Sequence, residues 1–234
     1  MEQTFDFSIG CVGFVAAVEL RRGELSPPSA RRAFPAVDLR CTDRLGASTR
    51  ITRQRFTAQL VAAAVERANH VVRSLRDSVH IDYPNGDAPA SAGVCADEII
   101  RVGRAVGVDL QKEIHENMVR RSAEYPRKWS MTHTDTNIDH RRAPKLMVSF
   151  ERKEAGLPVT ANAHDHLPGA IASWDLAGNA PHNGVVIERH PLWNSRNLVL
   201  HNVGEGPKIE DALFRCRITG HYRPYGPPLE PDNS

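Results

Sequence analysis

The chain changes character once, near Val159, and that change limits the folds open to it. Before it, apolar residues recur at helical spacing. After it come short β-type runs, "AIASWDL", "HNGVVIER", "NLVLHNV" and "ALFRCRITGHY", separated by Gly, Asn and Pro clusters. Helices followed by a run of neighbouring strands specify an α+β fold, with the N-terminal helices packed on an antiparallel sheet of about four to six strands.

In the helical half, Phe56, Leu60, Ala64, Ala68 and Val72 fall four apart, with Val61, Val65 and Leu75 alongside, so residues 54–75 read as one core-packing helix. "HIDYPNGDAPASAG", residues 80–93, breaks regular structure and delivers the chain to a helix that begins at Cys95. A third helix fits 109–124, where Asp109 caps the N-terminus and Leu110, Ile114 and Met118 repeat, and a short fourth begins near Pro144.

With 234 residues and 41% hydrophobic content, the chain suffices for one domain with an appendage. Residues 21–55 carry nine arginines around "SPPSARRAFP", a composition suited to an extended, solvated arm. The expected organisation is therefore an Arg/Pro-rich extension over 1–53, a domain over 54–226 and a tail over 227–234. "FSIGCVGFVAAVEL", residues 7–20, looks like the apolar part of a signal peptide, but Glu2 and Asp6 stand where positive charge belongs. It reads as a buried strand or helix, or else as an uncleaved signal. No run approaches the roughly 18–20 apolar residues of a membrane-spanning helix, so a soluble chain without a membrane span is expected. A net charge of +2 gives no case for a nucleic-acid partner.

Cys11, Cys41, Cys95 and Cys216 are too few and too scattered for a disulfide framework, and no pair has CxxC spacing. Cys11 sits in an apolar run, Cys41 in the arm and Cys216 in an expected strand, where core or incidental thiols belong. Cys95 differs. At a helix start its sulfur meets unpaired N–H groups and the positive end of the helix dipole, which favours thiolate. Asp97 points nearly away, and Glu98 can be neutralised by Arg101 or by the arginines of "HRR". A base is needed beside it. His182 and His201 fall on successive strands, where one imidazole can take the thiol proton and the other can orient the first.

A helix-initiating Cys followed by "LPGAIASWDL", "PHNGVVIE" and "NLVLHN" resembles the NlpC/P60 branch of the papain-like cysteine peptidases. "YPNGDAP", "GVCADEIIRVGRAVGVDLQ", "DTNIDHRR", "HNVGEGP" and "ITGHYR" narrow the resemblance to the DUF1287 family, over about Val71 to Tyr222. The resemblance implies a papain-like core, Cys95 as nucleophile, His182 as general base, His201 as the orienting residue, no cofactor, and cleavage of amide bonds in peptidoglycan stem peptides. Ala170 departs from it, since relatives usually place an acidic residue after the glycine that corresponds to Gly169.

Asp175 is the alternative third member; strand alternation turns Asn202 away from His201. The Cys95 N–H is a natural oxyanion donor, joined by a second group that the sequence does not identify. Tyr83 either lines the cleft or packs. In "DTNIDHRR", Asp135, Asn137, Asp139, His140, Arg141 and Arg142 form either a site in which an arginine grips a substrate carboxylate or an internal ion-pair cluster.

Three other functions compete. His164, Asp165, His166 and a later His invite a zinc hydrolase, though their spacing matches no recognised ligand array. An acyltransferase would use the same thioester with another acceptor, and a binding module would keep the fold without the chemistry. Peptidoglycan lies outside the cytoplasm, so the expected site of action is the bacterial periplasm or cell wall. Export then uses a missed signal or a dedicated machine of the type VI kind that reads folded cargo, which implies an immunity partner blocking the cleft in the producing cell.

Overall fold

A computed structural model of the chain describes residues 42–75, 78–126, 133–176, 180–188 and 196–224, with side chains from Thr52 onward. The chain divides into two units, residues 1–51 and 52–234. Of the first, the described residues 42–51 are the opening of helix α1 (Thr42–Arg67). The apolar run at 7–20, Cys11 and Cys41 lie outside the described residues.

The arm expected over 21–55 is helical from Thr42 rather than extended. No proline follows Pro35 there, and arginine is a good helix former. At its other end α1 stops at Arg67, not Leu75. The N–H groups of Ala68, Asn69 and His70 bond three residues back, tightening the chain out of the helix. Val72 is buried beyond the helix, and Arg73–Ser74 (β1), expected as helix, pairs in parallel with Ala92–Gly93 (β2), expected as loop.

Three further helices follow: α2 (Cys95–Ala105), α3 (Leu110–Arg121) and α4 (Ala143–Arg152). The Asp109 carboxylate accepts the Lys112 N–H at 3.0 Å and so starts α3 as its sequence indicates. A 3-10 turn, Ser122–Glu124, continues it. Pro144 lies in the first turn of α4, where its missing N–H costs nothing.

The second half forms an antiparallel sheet of β3 (Ile171–Leu176), β4 (Ala180–Ile187), β5 (Leu198–Asn202), β6 (Pro207–Glu210) and β7 (Arg217–Tyr222), in the order β6-β5-β4-β3-β7. The fold is thus α+β, four helices with a five-stranded antiparallel sheet. β6 has no counterpart in the sequence reading, and Cys216 precedes β7 rather than lying within a strand.

Alternation along the strands separates two cores. Ile171, Val185, Ile187 and Leu200 face Ile99, Ile100, Ile114, Leu146 and Phe150 of the helices. Each such side chain, fully buried, contributes roughly 1.5–3 kcal/mol. Ala170, Ala172, Trp174, Val186, Val199 and Leu213 form the core of the opposite face, where the Trp174 indole N–H donates to the Leu213 carbonyl at 2.9 Å. Among the described residues no helix is long and apolar enough to cross a membrane.

Candidate functional site

The start of α2 is held by charge pairs. The Asp97 carboxylate accepts the Val94 N–H at 2.7 Å, which fixes the first turn. Arg141 grips the same carboxylate at 2.8 and 3.0 Å and donates to the Leu75 carbonyl at 2.8 Å. Glu98 receives Arg67 of α1 at 2.7 Å and Arg101 at 3.3 Å. Both acids that follow the cysteine are therefore ion-paired. Arg67 is a partner that the sequence did not suggest, since nothing local marks a contact across 31 positions.

Cys95 keeps partial exposure at the head of α2. The backbone N–H groups of Asn183, on β4, of Ala96 and of Cys95 itself favour its thiolate. Burial outweighs them: it pushes the thiol up to about 11, with the Asp97 charge adding to the rise. The helix start therefore does not deliver the resting thiolate that the sequence led one to expect. Dipole and amides lower the thiol, but desolvation by the surrounding core is larger.

His182 and His201 meet as their strands dictate. His182 Nε2 lies 3.0 Å from His201 Nδ1, with both rings buried. Trp174, which pairs with His182 across β3 and β4, lies 5.9 Å from its ring centre. Gly184 lets the strands close here, since a Cβ on it would stand 2.6 Å from the Leu200 carbonyl oxygen and 3.0 Å from the His201 Cβ. Burial holds His182 down at about 3, with His201 contributing, and burial likewise lowers His201. Both rings are neutral at neutral pH.

Cys95 and His182 share the lining of one cavity of about 340 Å³. Its other walls are largely apolar, including Val94, Ile138, Pro144, Leu176, Pro181 and Val203, with Ser74, Arg141, Arg142 and Asn202 as polar members. By alternation the imidazole pair belongs to the Trp174 side of the sheet, whereas α2 packs on the other. The cavity lies at the strand ends, where residues from both sides contribute to its lining.

The remaining candidates separate clearly. Asp175 faces Arg217 at 3.6 Å rather than either imidazole. Asn202 lies on the helix side, its Oδ1 accepting the Gly204 and Gly206 N–H groups at 2.9 and 3.2 Å. Tyr83 is exposed and sets its ring edge-on to His115, away from the residues that line the cavity. In "DTNIDHRR", Asp139 binds Lys145 at 2.5 Å and the Asp135 N–H at 2.7 Å, while Asn137 accepts the Ile81 N–H at 2.8 Å. His140 is buried and held at about 4 by desolvation, with Arg141 next in effect. Asp139 and Arg141 thus serve an internal network, and Arg141 also lines the cavity, as does the half-buried Arg142.

The "HDH" stretch closes a loop. His166 Nε2 bonds the Thr160 carbonyl at 3.1 Å, and Asp165 accepts the Thr160 hydroxyl at 2.6 Å. Among the described residues no three His, Cys, Asp or Glu side chains converge as a metal site. Asn183, whose backbone reaches the sulfur, is a site residue that sequence reading passed over. Its place beside His182 on the strand was the available signal.

A family model described as "Domain of unknown function (DUF1287)" matches residues 61–224, and the chain belongs to that family. The chain is 45% identical over 145 residues to "Uncharacterized protein YijF" of Escherichia coli (strain K12), covering 62% of this chain and 70% of the relative. No solved structure matches.

Proposed function

We propose that this DUF1287 protein is a cysteine hydrolase of the NlpC/P60-like, papain-like kind that cleaves amide bonds in peptidoglycan stem peptides. The observation that carries the reading is the cavity whose lining includes both the helix-initiating Cys95 and His182, the latter backed by His201 at 3.0 Å.

The neutral resting state sets the order of events. As Cys95 Sγ bonds to the acyl carbon, the carbonyl π pair moves to oxygen and the thiol proton passes to His182. Collapse breaks the C–N bond while His182 protonates the leaving amine, and water then hydrolyses the thioester by the same relay. Because Nε2 of His182 is tied to His201, Nδ1 is the nitrogen available as base. That requires the Nε2–H tautomer, which donates to His201 Nδ1 and makes His201 a positioning residue. The Cys95 N–H stabilises the developing oxyanion.

The raised thiol is the observation that favours a second reading, a binding module in which Cys95 is inert. An acyltransferase would share every step up to the thioester. On the hydrolase reading the protein works in the periplasm or cell wall, and an exported antibacterial form requires an immunity protein that plugs the cavity.

The test is mass spectrometry of muropeptides after purified peptidoglycan is incubated with wild type or Cys95→Ala. New fragments with wild type alone support the hydrolase and name the bond, and fragments joined to a new amine point to acyl transfer. Identical mixtures from the two proteins refute the reading.

A further inference from the structure

One polar side chain of the cavity has a buried group left over. Asn202, at the end of β5, is 3% exposed and lines the cavity together with Cys95. Its Oδ1 accepts two backbone N–H groups, from Gly204 and Gly206, which fixes the orientation of the amide. Nδ2, with two hydrogens to give, is buried and has no partner. A buried donor left unmade costs about 1–3 kcal/mol, and folded proteins keep few of them.

The strand pattern adds direction. Asn202 shares the helix side of the sheet with Leu200, the side on which α2 and Cys95 lie, whereas His201 and His182 belong to the other. A carbonyl attacked at Cys95 must turn its oxygen away from the base that receives the thiol proton. The amide of Asn202 is on that side.

We infer that Asn202 Nδ2 is the second oxyanion donor, bonding the acyl oxygen of the bound peptide together with the Cys95 N–H. This assignment rests on the hydrolase reading. When the S–C bond forms and the carbonyl π pair moves to oxygen, Nδ2–H donates to that oxygen; when the pair returns and the C–N bond breaks, the donor is released unchanged. The loop Val203–Gly206 thereby acquires a role, since its glycine N–H groups hold the amide in place.

The test compares wild type with Asn202→Asp, which keeps the acceptor for the loop and removes the donor, and with Asn202→Ala, which removes both. On soluble muropeptides both variants are expected to lose about 10²–10³-fold in kcat with KM retained, and only the alanine variant to melt lower. Wild-type kcat in either variant overturns the assignment. Should wild type release no fragment, the hydrolase reading has failed on its own, and acetyl-alanyl-alaninal then tests the donor separately. Its hemithioacetal with Cys95 places an oxygen where the oxyanion would be. Protection of Cys95 from alkylation in wild type, lost in Asn202→Asp, upholds the donor, whereas equal protection in both, or none in wild type, overturns it.

Discussion

The state of the Cys95 proton can be measured directly. With the thiol at about 11, its thiolate fraction at pH 7 is about 10⁻⁴. An ordinary cysteine near 8.5 holds about 3 × 10⁻², so Cys95 should alkylate about 300-fold more slowly. Brief pulses of iodoacetamide, read by peptide mass spectrometry so that the other cysteines are resolved, give the rate at each pH. The rate should rise tenfold per unit from pH 6 to about 10 and show no plateau below that. Replacing His182 by Ala should leave the profile in place, because a neutral imidazole lends the sulfur no charge. An inflection below about pH 8, moved upward in His182→Ala, would mean a resting thiolate–imidazolium pair and would refute the neutral ground state.

Two further outcomes follow from the packing around the site. Arg141→Met strands the Asp97 carboxylate, which is 2% exposed, and should cost about 3–5 kcal/mol, lowering the melting temperature by roughly 6–20 °C. An unchanged melt would return Arg141 to the substrate-binding role. Gly184→Ala forces β4 and β5 apart and should cost about 1–3 kcal/mol while loosening the His182–His201 contact. Unaltered imidazole resonances in its NMR spectrum would show that the strands absorb the methyl elsewhere.

Periodicity located what periodicity governs. The start of α3 at Asp109, the start of α4 near Pro144 and four of the five sheet strands follow from local spacing and punctuation. β6 escaped because "PKIE" is four residues long and opens on the proline of "GEGP", so it reads as a turn; pairing with β5 makes it a strand. The last third of the expected first helix escaped because Val72 is buried without being helical. The site divides in the same way. Cys95, His182 and His201 are legible from a helix start and two strands. The partners of Asp97 and Glu98 are not, since Arg141 and Arg67 lie 44 and 31 positions away. Nor is the thiol's proton affinity, which depends on how completely the finished core surrounds it.

Those distant grips on α2 also order events during synthesis. The ribosome delivers Cys95 well before Arg141, and His201 about a hundred residues after it, a gap of roughly 5–20 s at ordinary elongation rates. Until Arg141 and then His182 emerge, the chain holds a cysteine without that clamp or its proposed base. Chains released early, or clipped before β4, carry the sulfur but none of the imidazoles proposed to activate it, and only translation through β5 supplies His201 as well.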